Sequence, residues 1–168
     1  MIRRGAHFFA ALATALLLAS CSSSDGGDRR VAEGRDWQWD KEAGAAEASA
    51  FMNVSVPEDT TGVKGAVQIN PQEDIYLLSF VTREKNAEDI AKDLHSEEPL
   101  KAKKKDFAPE GERFEHLGLA EPQTVKGTRW AGVCPPCVSD DRRRKVQWIE
   151  IYVQPLKGDQ ARVYLQAF

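Results

Sequence analysis

Cys134-Pro135-Pro136-Cys137 is the one place in the sequence where reactive side chains stand at a spacing with known chemistry. Two cysteines separated by two residues can cycle between dithiol and disulfide, supply half of a zinc site, or close a small structural ring. A redox centre of the thioredoxin kind needs a buried strand before the first cysteine and an amphipathic helix after it, whose N-terminus stabilises the thiolate. The residues after Cys137 run Val138-Ser139-Asp140-Asp141-Arg142-Arg143-Arg144-Lys145 and carry no apolar stripe. Pro135 pushes Cys134 towards an extended backbone. The remaining stretch reads as two strands, with no room for the rest of a thioredoxin-like sheet. A closed zinc site needs two further ligands, and His95 and His116 lie in unrelated contexts. The pair is therefore expected to form a structural disulfide, Cys134 to Cys137, pinching a loop between two strands. A thiol–disulfide protein is the alternative, and no metal is expected.

Other catalytic signatures are missing from the sequence. It holds no G-x-S-x-G, phosphate-binding loop, H-E-x-x-H or G-x-G-x-x-G, so neither a nucleophile with its base nor a cofactor cradle is expected. Acidic pairs such as Glu97-Glu98 and Asp140-Asp141 read as loop solvation. Lys101-Ala102-Lys103-Lys104-Lys105 is a basic cluster in an acidic protein. It reads as a solvated loop, with contact to anionic lipid headgroups as the sharper alternative, at about 1 kcal/mol per lysine. The remaining candidate surface is aromatic. If 146–154 and 161–168 pair as a hairpin, Trp148, Tyr152, Tyr164 and Phe168 share one face. Left open, that face would bind a sugar, peptide or protein; otherwise the alanine-rich segment or the Trp37–Trp39 stretch covers it.

The first residues set a location. Arg3 and Arg4 precede an apolar run over 8–19, broken only by Thr14. That run is too short for a hydrocarbon core, which needs about 20 residues, and it reads as a secretory signal. Leu18-Ala19-Ser20-Cys21 closes it. Here the chain resembles the bacterial lipoproteins, whose lipobox is a Leu, two small residues and a Cys. The resemblance implies a diacylglyceryl thioether on Cys21, cleavage between Ser20 and Cys21, and a domain lipid-anchored to the cell membrane on its extracytoplasmic side. One acyl chain binds membranes only marginally, and two or more give stable anchoring.

The chain has 168 residues with a formal charge of −3. An exported, mildly acidic protein is not expected to bind nucleic acid, which needs a basic face. Partners are expected to be the membrane, through the lipid on Cys21, and an envelope ligand or protein. Residues 22–34 are rich in Ser, Gly and charge and read as a disordered tether, with an end-to-end distance of about 20 Å. The organisation is then a signal over 1–20, a lipidated Cys and tether over 21–34, and one domain over 35–168.

The elements that must position these residues follow from periodicity. Trp37 and Trp39 suit a short strand, and the alanine-rich 42–52 a short helix. Residues 63–69 alternate, with Val63, Val67 and Ile69 on one face. Residues 75–81 are apolar on both faces, as in a central strand, and the two form a hairpin. Asn86 is expected to cap a helix with Ala87, Ile90, Ala91 and Leu94 on one stripe, ending near His95. A long polar connection over 100–122 leads to strands over 124–133, 146–154 and 161–168. This order predicts an α+β fold, an antiparallel sheet of about five strands with one main helix on one face. The body is also similar in style to small exported lipoproteins of high-GC bacteria such as streptomycetes, a likeness that supplies no catalytic residue.

Overall fold

A computed structural model describes residues 37–96, 99–102 and 111–168. The lipobox with Cys21, the tether, Glu97, Glu98, and Lys103, Lys104 and Lys105 of the basic cluster lie outside the described residues.

Seven strands form one antiparallel sheet: β1 (Gln38–Trp39), β2 (Thr61–Ile69), β3 (Ile75–Arg83), β4 (Lys101–Ala102), β5 (Arg129–Val133), β6 (Ile149–Pro155) and β7 (Gln160–Ala167). Their order across the sheet is β1-β2-β3-β7-β6-β5-β4. Two helices, α1 (Ala45–Met52) and α2 (Glu84–Asp93), complete the described residues with two short 3-10 turns. The fold is α+β. The strand number exceeds the expected five because β1 and β4 each add two residues at opposite edges; the Trp37–Trp39 spacing points to the first, whereas Lys101–Ala102 is too short to register as period-two alternation.

β3 is apolar on both sides because both of its faces are covered. Leu78 and Phe80 enter one core with Ile149, Ile151, Val163 and Leu165, beneath Ala48 and Met52 of α1, Ala87 and Ala91 of α2, and Leu94 just after it. Ile75 and Leu77 enter a second core on the opposite face with Tyr152, Tyr164 and Phe114. Each large side chain buried this way contributes about 1.5–3 kcal/mol. α1 has no apolar stripe, yet it docks because Gly65 of β2 lets it approach. A Cβ at 65 would stand 2.4 Å from the Cα of Ala45. Phe51 then stacks on Tyr76 with ring centroids 3.7 Å apart.

α2 begins at Glu84, directly after β3, and not at a cap formed by Asn86. The Asn86 side chain instead donates to Thr82 Oγ1 at 2.9 Å and Asp59 Oδ1 at 3.1 Å. Arg129 of β5 fixes the outer face of α2, bridging Glu84 at 2.9 Å and also Glu88.

The strand expected over 124–133 shortens to Arg129–Val133. Before it, Thr124 N–H bonds Glu121 O, Val125 N–H bonds Pro122 O, and Gly127 adopts φ +81°, so the chain turns where a ladder was expected. Likewise 146–148 lie outside β6, since Val146 N–H closes on Arg143 O at 2.8 Å.

Candidate functional site

Over Tyr152 and Tyr164 the aromatic face is covered by residues 114–123, which precede β5. Tyr152 and Tyr164 stand directly opposite each other across β6 and β7, and both are buried. Phe114, in the 3-10 turn Phe114–Leu117, meets Tyr164 edge-on at 5.2 Å and 90°. Gln123 Nε2 donates to Tyr152 Oη at 3.0 Å, and Tyr152 Oη donates to Glu150 Oε2 at 2.8 Å. Burial pushes the Tyr164 phenol up from its ordinary pKa. Glu121 secures the cover by accepting Phe114 N–H at 2.5 Å and Glu115 N–H at 3.0 Å. Burial raises the Glu121 carboxyl by more than those donors lower it. Trp39 also contributes, stacked on His116 at 3.9 Å and 4°. The alanine-rich helix lies on the other face, so of the two covers the sequence suggested only the Trp37–Trp39 stretch takes part.

Of the four aromatic residues singled out from sequence, Trp148 and Phe168 remain half-buried. They extend the β6–β7 ladder: Phe168 N–H bonds Trp148 O and Trp148 N–H bonds Phe168 O, both at 3.2 Å. Trp148 then reaches over the neighbouring strand. A Cβ at Gly132 would stand 2.3 Å from Cζ2 and 2.9 Å from Cη2 of its ring. The indole therefore occupies the space over β5 that a side chain at position 132 would fill. Trp130, two residues before Gly132, shares that face of β5.

These two indoles line a cleft of about 380 Å³ at the outer end of β5. β4 pairs only with Arg129 and Trp130. Beyond that point the edge is met by Ser96, whose Oγ donates to Gly132 O at 3.3 Å. Lys101 Nζ lies 5.5 Å from the Trp130 ring centroid, within cation–π range. His95, Cys134 and Cys137 complete the lining.

Cys134 and Cys137 are disulfide-bonded, with Cα atoms 5.2 Å apart. The chain after Cys137 turns and makes only the short 3-10 segment Asp141–Arg143 before β6, so no amphipathic helix follows the pair. The turn is hydrogen-bonded throughout. Cys137 N–H bonds Cys134 O at 2.9 Å, Asp140 N–H bonds Pro135 O at 2.9 Å, and Cys137 N–H also reaches Cys134 Sγ at 3.3 Å.

Asp140 is not a solvated loop acid. It is buried and pairs with Arg143, itself 1 % exposed, at 2.6 Å. Arg143 also donates to Met52 O and Asn53 O at 2.9 Å, Asp93 O at 3.0 Å and Asp93 Oδ2 at 2.5 Å. One guanidinium thus caps the C-terminal carbonyls of both helices, where orphan acceptors and the helix dipole favour a cation. Arg142 adds bonds to Asp93 at 2.9 Å and Asp140 at 3.2 Å. Burial alone would raise the Asp140 carboxyl, but Arg143 and Arg142 outweigh it and hold it below the ordinary range. The same balance lowers Asp93, and the bonds to Asp93 and Asp140 raise Arg142. This cluster fixes the loop that carries the cysteines against both helices.

Among the described residues no three His, Cys, Asp or Glu side chains are grouped to hold a metal ion. No helix there is long and apolar enough to cross a membrane. Sequence reasoning missed Trp130, Gly132 and the Arg143 cluster. A period-two count from Trp130 to Gly132 was available; the packing of Trp148 across strands was not. Comparison of the chain with protein-family models, with curated proteins and with solved structures finds no match in any of the three.

Proposed function

We propose that this protein is a lipid-anchored extracytoplasmic binding domain, held to the membrane through Cys21, and that its ligand site is the cleft at the end of β5. The observation that carries the reading is the pair of half-buried indoles, Trp130 and Trp148, over a strand bared by Gly132. Indoles in a concave site offer apolar area with a polar N–H at little entropic cost, the composition of recognition surfaces. Lys101, Ser96 and His95 supply polar groups along one wall. The anchor is supported by Leu18-Ala19-Ser20-Cys21. An envelope glycan or peptide is the fitting ligand class for such a cleft in that location.

The test is a fluorescence titration of the full chain with cell-wall glycan fragments and with short peptides. A saturable change in tryptophan emission is expected, lost in Trp148→Ala and kept in Trp39→Ala. No saturable response to any of these probes would sink the binding reading. Loss of the cooperative urea transition in Trp148→Ala would assign that ring to the core instead. The anchor has its own test: Cys21→Ser should move the protein from the membrane fraction to the soluble one.

A further inference from the structure

We propose that the Cys134–Cys137 disulfide is an exchange-active pair with a fixed polarity, in which small external thiols attack Cys137 Sγ and Cys134 leaves as the thiolate. This goes beyond the binding reading and does not depend on it.

Three observations carry it. The two residues differ in exposure: Cys137 is exposed, whereas Cys134 is half-buried, and both line the cleft. They differ as leaving groups in the matching sense. Cys137 N–H points at Cys134 Sγ from 3.3 Å, a donor that stabilises negative charge there, and among the described residues Cys137 Sγ accepts no such bond. Exchange is faster when the departing thiol is the better stabilised anion and the attacked sulfur is the accessible one. Finally, the bridge is redundant as a staple. Its turn is already closed by Cys137 N–H to Cys134 O and Asp140 N–H to Pro135 O, pinned by Asp140 to Arg143, and stiffened by two prolines. A ring of four residues is also the kind that constrains the unfolded chain least. Opening it leaves the loop in place, as a reversible exchange step requires and a structural disulfide does not.

The electron count closes with two equivalents of thiol. A thiolate lone pair forms a sulfur–sulfur bond to Cys137 Sγ, and the Cys134–Cys137 bond breaks with its electron pair on Cys134 Sγ. A second thiolate attacks the small-molecule sulfur of that mixed disulfide and releases Cys137 as thiolate. The external product is the oxidised dimer of the thiol. The protein pair gains two electrons, and the protons shed by the two thiols remain available to the two cysteines.

The experiment uses the full chain carrying Cys21→Ser, so that only this pair reacts. It is exposed to millimolar glutathione, quenched with N-ethylmaleimide, digested and mapped by mass spectrometry. The trapped intermediate should carry glutathione on Cys137 and the maleimide on Cys134, in about tenfold excess over the reverse species. The fully reduced chain should keep a cooperative urea transition. Equal labelling, or glutathione mainly on Cys134, would overturn the polarity. A bridge that resists glutathione until urea unfolds the chain would overturn the proposal altogether and identify a staple.

Discussion

Replacing Arg143 by Met tests whether the 134–146 loop is held by its ionic cluster. The guanidinium is 1 % exposed and makes five hydrogen bonds, to Met52 O, Asn53 O, Asp93 O, Asp93 Oδ2 and Asp140 Oδ2. Met retains an apolar stem of similar length and supplies no donor. Three carbonyls at helix ends lose their capping cation, and the buried Asp140 keeps only Arg142, whose side chain is 46 % exposed. Breaking a buried pair by removing one partner costs about 3–5 kcal/mol, because the other charge is left without compensation. Domains of this kind are stable by about 5–15 kcal/mol in all. With a urea slope of about 2 kcal/mol/M, the midpoint should fall by about 2 M. Asp140→Asn in the Arg143→Met background removes the orphaned charge and should recover part of that loss, a coupling of about 0.5–3 kcal/mol in a double-mutant cycle. A drop worth less than about 1 kcal/mol, the range of exposed pairs, would refute the reasoning. The cluster would then be a surface ion pair, and the loop would have to be held by its turn hydrogen bonds alone.

Two further outcomes follow from the same geometry. Asp93 and Asp140 titrate below the ordinary carboxylate range once burial is outweighed by Arg143 and Arg142. Their contribution is therefore fully present above the unfolded-state value of about 3.9 and lost as pH falls through their folded values. In Arg143→Met both carboxyls lose the cation that lowers them most, so the acid-dependent loss below that unfolded value should shrink, measurable as urea midpoints across an acid series, and an unchanged profile would contradict the assignment. Gly132→Ala places a methyl where the Trp148 ring lies. It should cost about 1–3 kcal/mol by overpacking and shift the emission of Trp148, whereas an unaltered spectrum would mean the ring does not rest on β5.

The α+β class was legible in the sequence because the long elements state it twice. Residues 75–81 carry apolar side chains on both faces, and β3 is buried between two cores. Ala87, Ala91 and Leu94 lie on one stripe and are all buried. The missed features depend on partners far away in the chain. Arg142-Arg143 read as part of a polar run, since nothing local shows that Arg143 will meet carbonyls about ninety residues earlier at the end of α1. Trp148 was placed on the correct sheet face by parity, but a count along one strand cannot show that it crosses to Gly132 on the next. The covered aromatic face has the same cause. Phe114 and Gln123 sit in a connection with no periodicity, and their role appears only when Tyr152 and Tyr164 are paired beneath them. Local pattern reports which face of an element is apolar; it does not report which irregular segment covers it. The candidate site joins Trp130 and Gly132 of β5 to His95, Ser96, Cys134, Cys137, Val138 and Trp148, which lie in such segments. The cleft was therefore hidden in the sequence for the same reason that a regular fold around it was visible: ladders and helices repeat, and the loops that converge at the end of β5 do not.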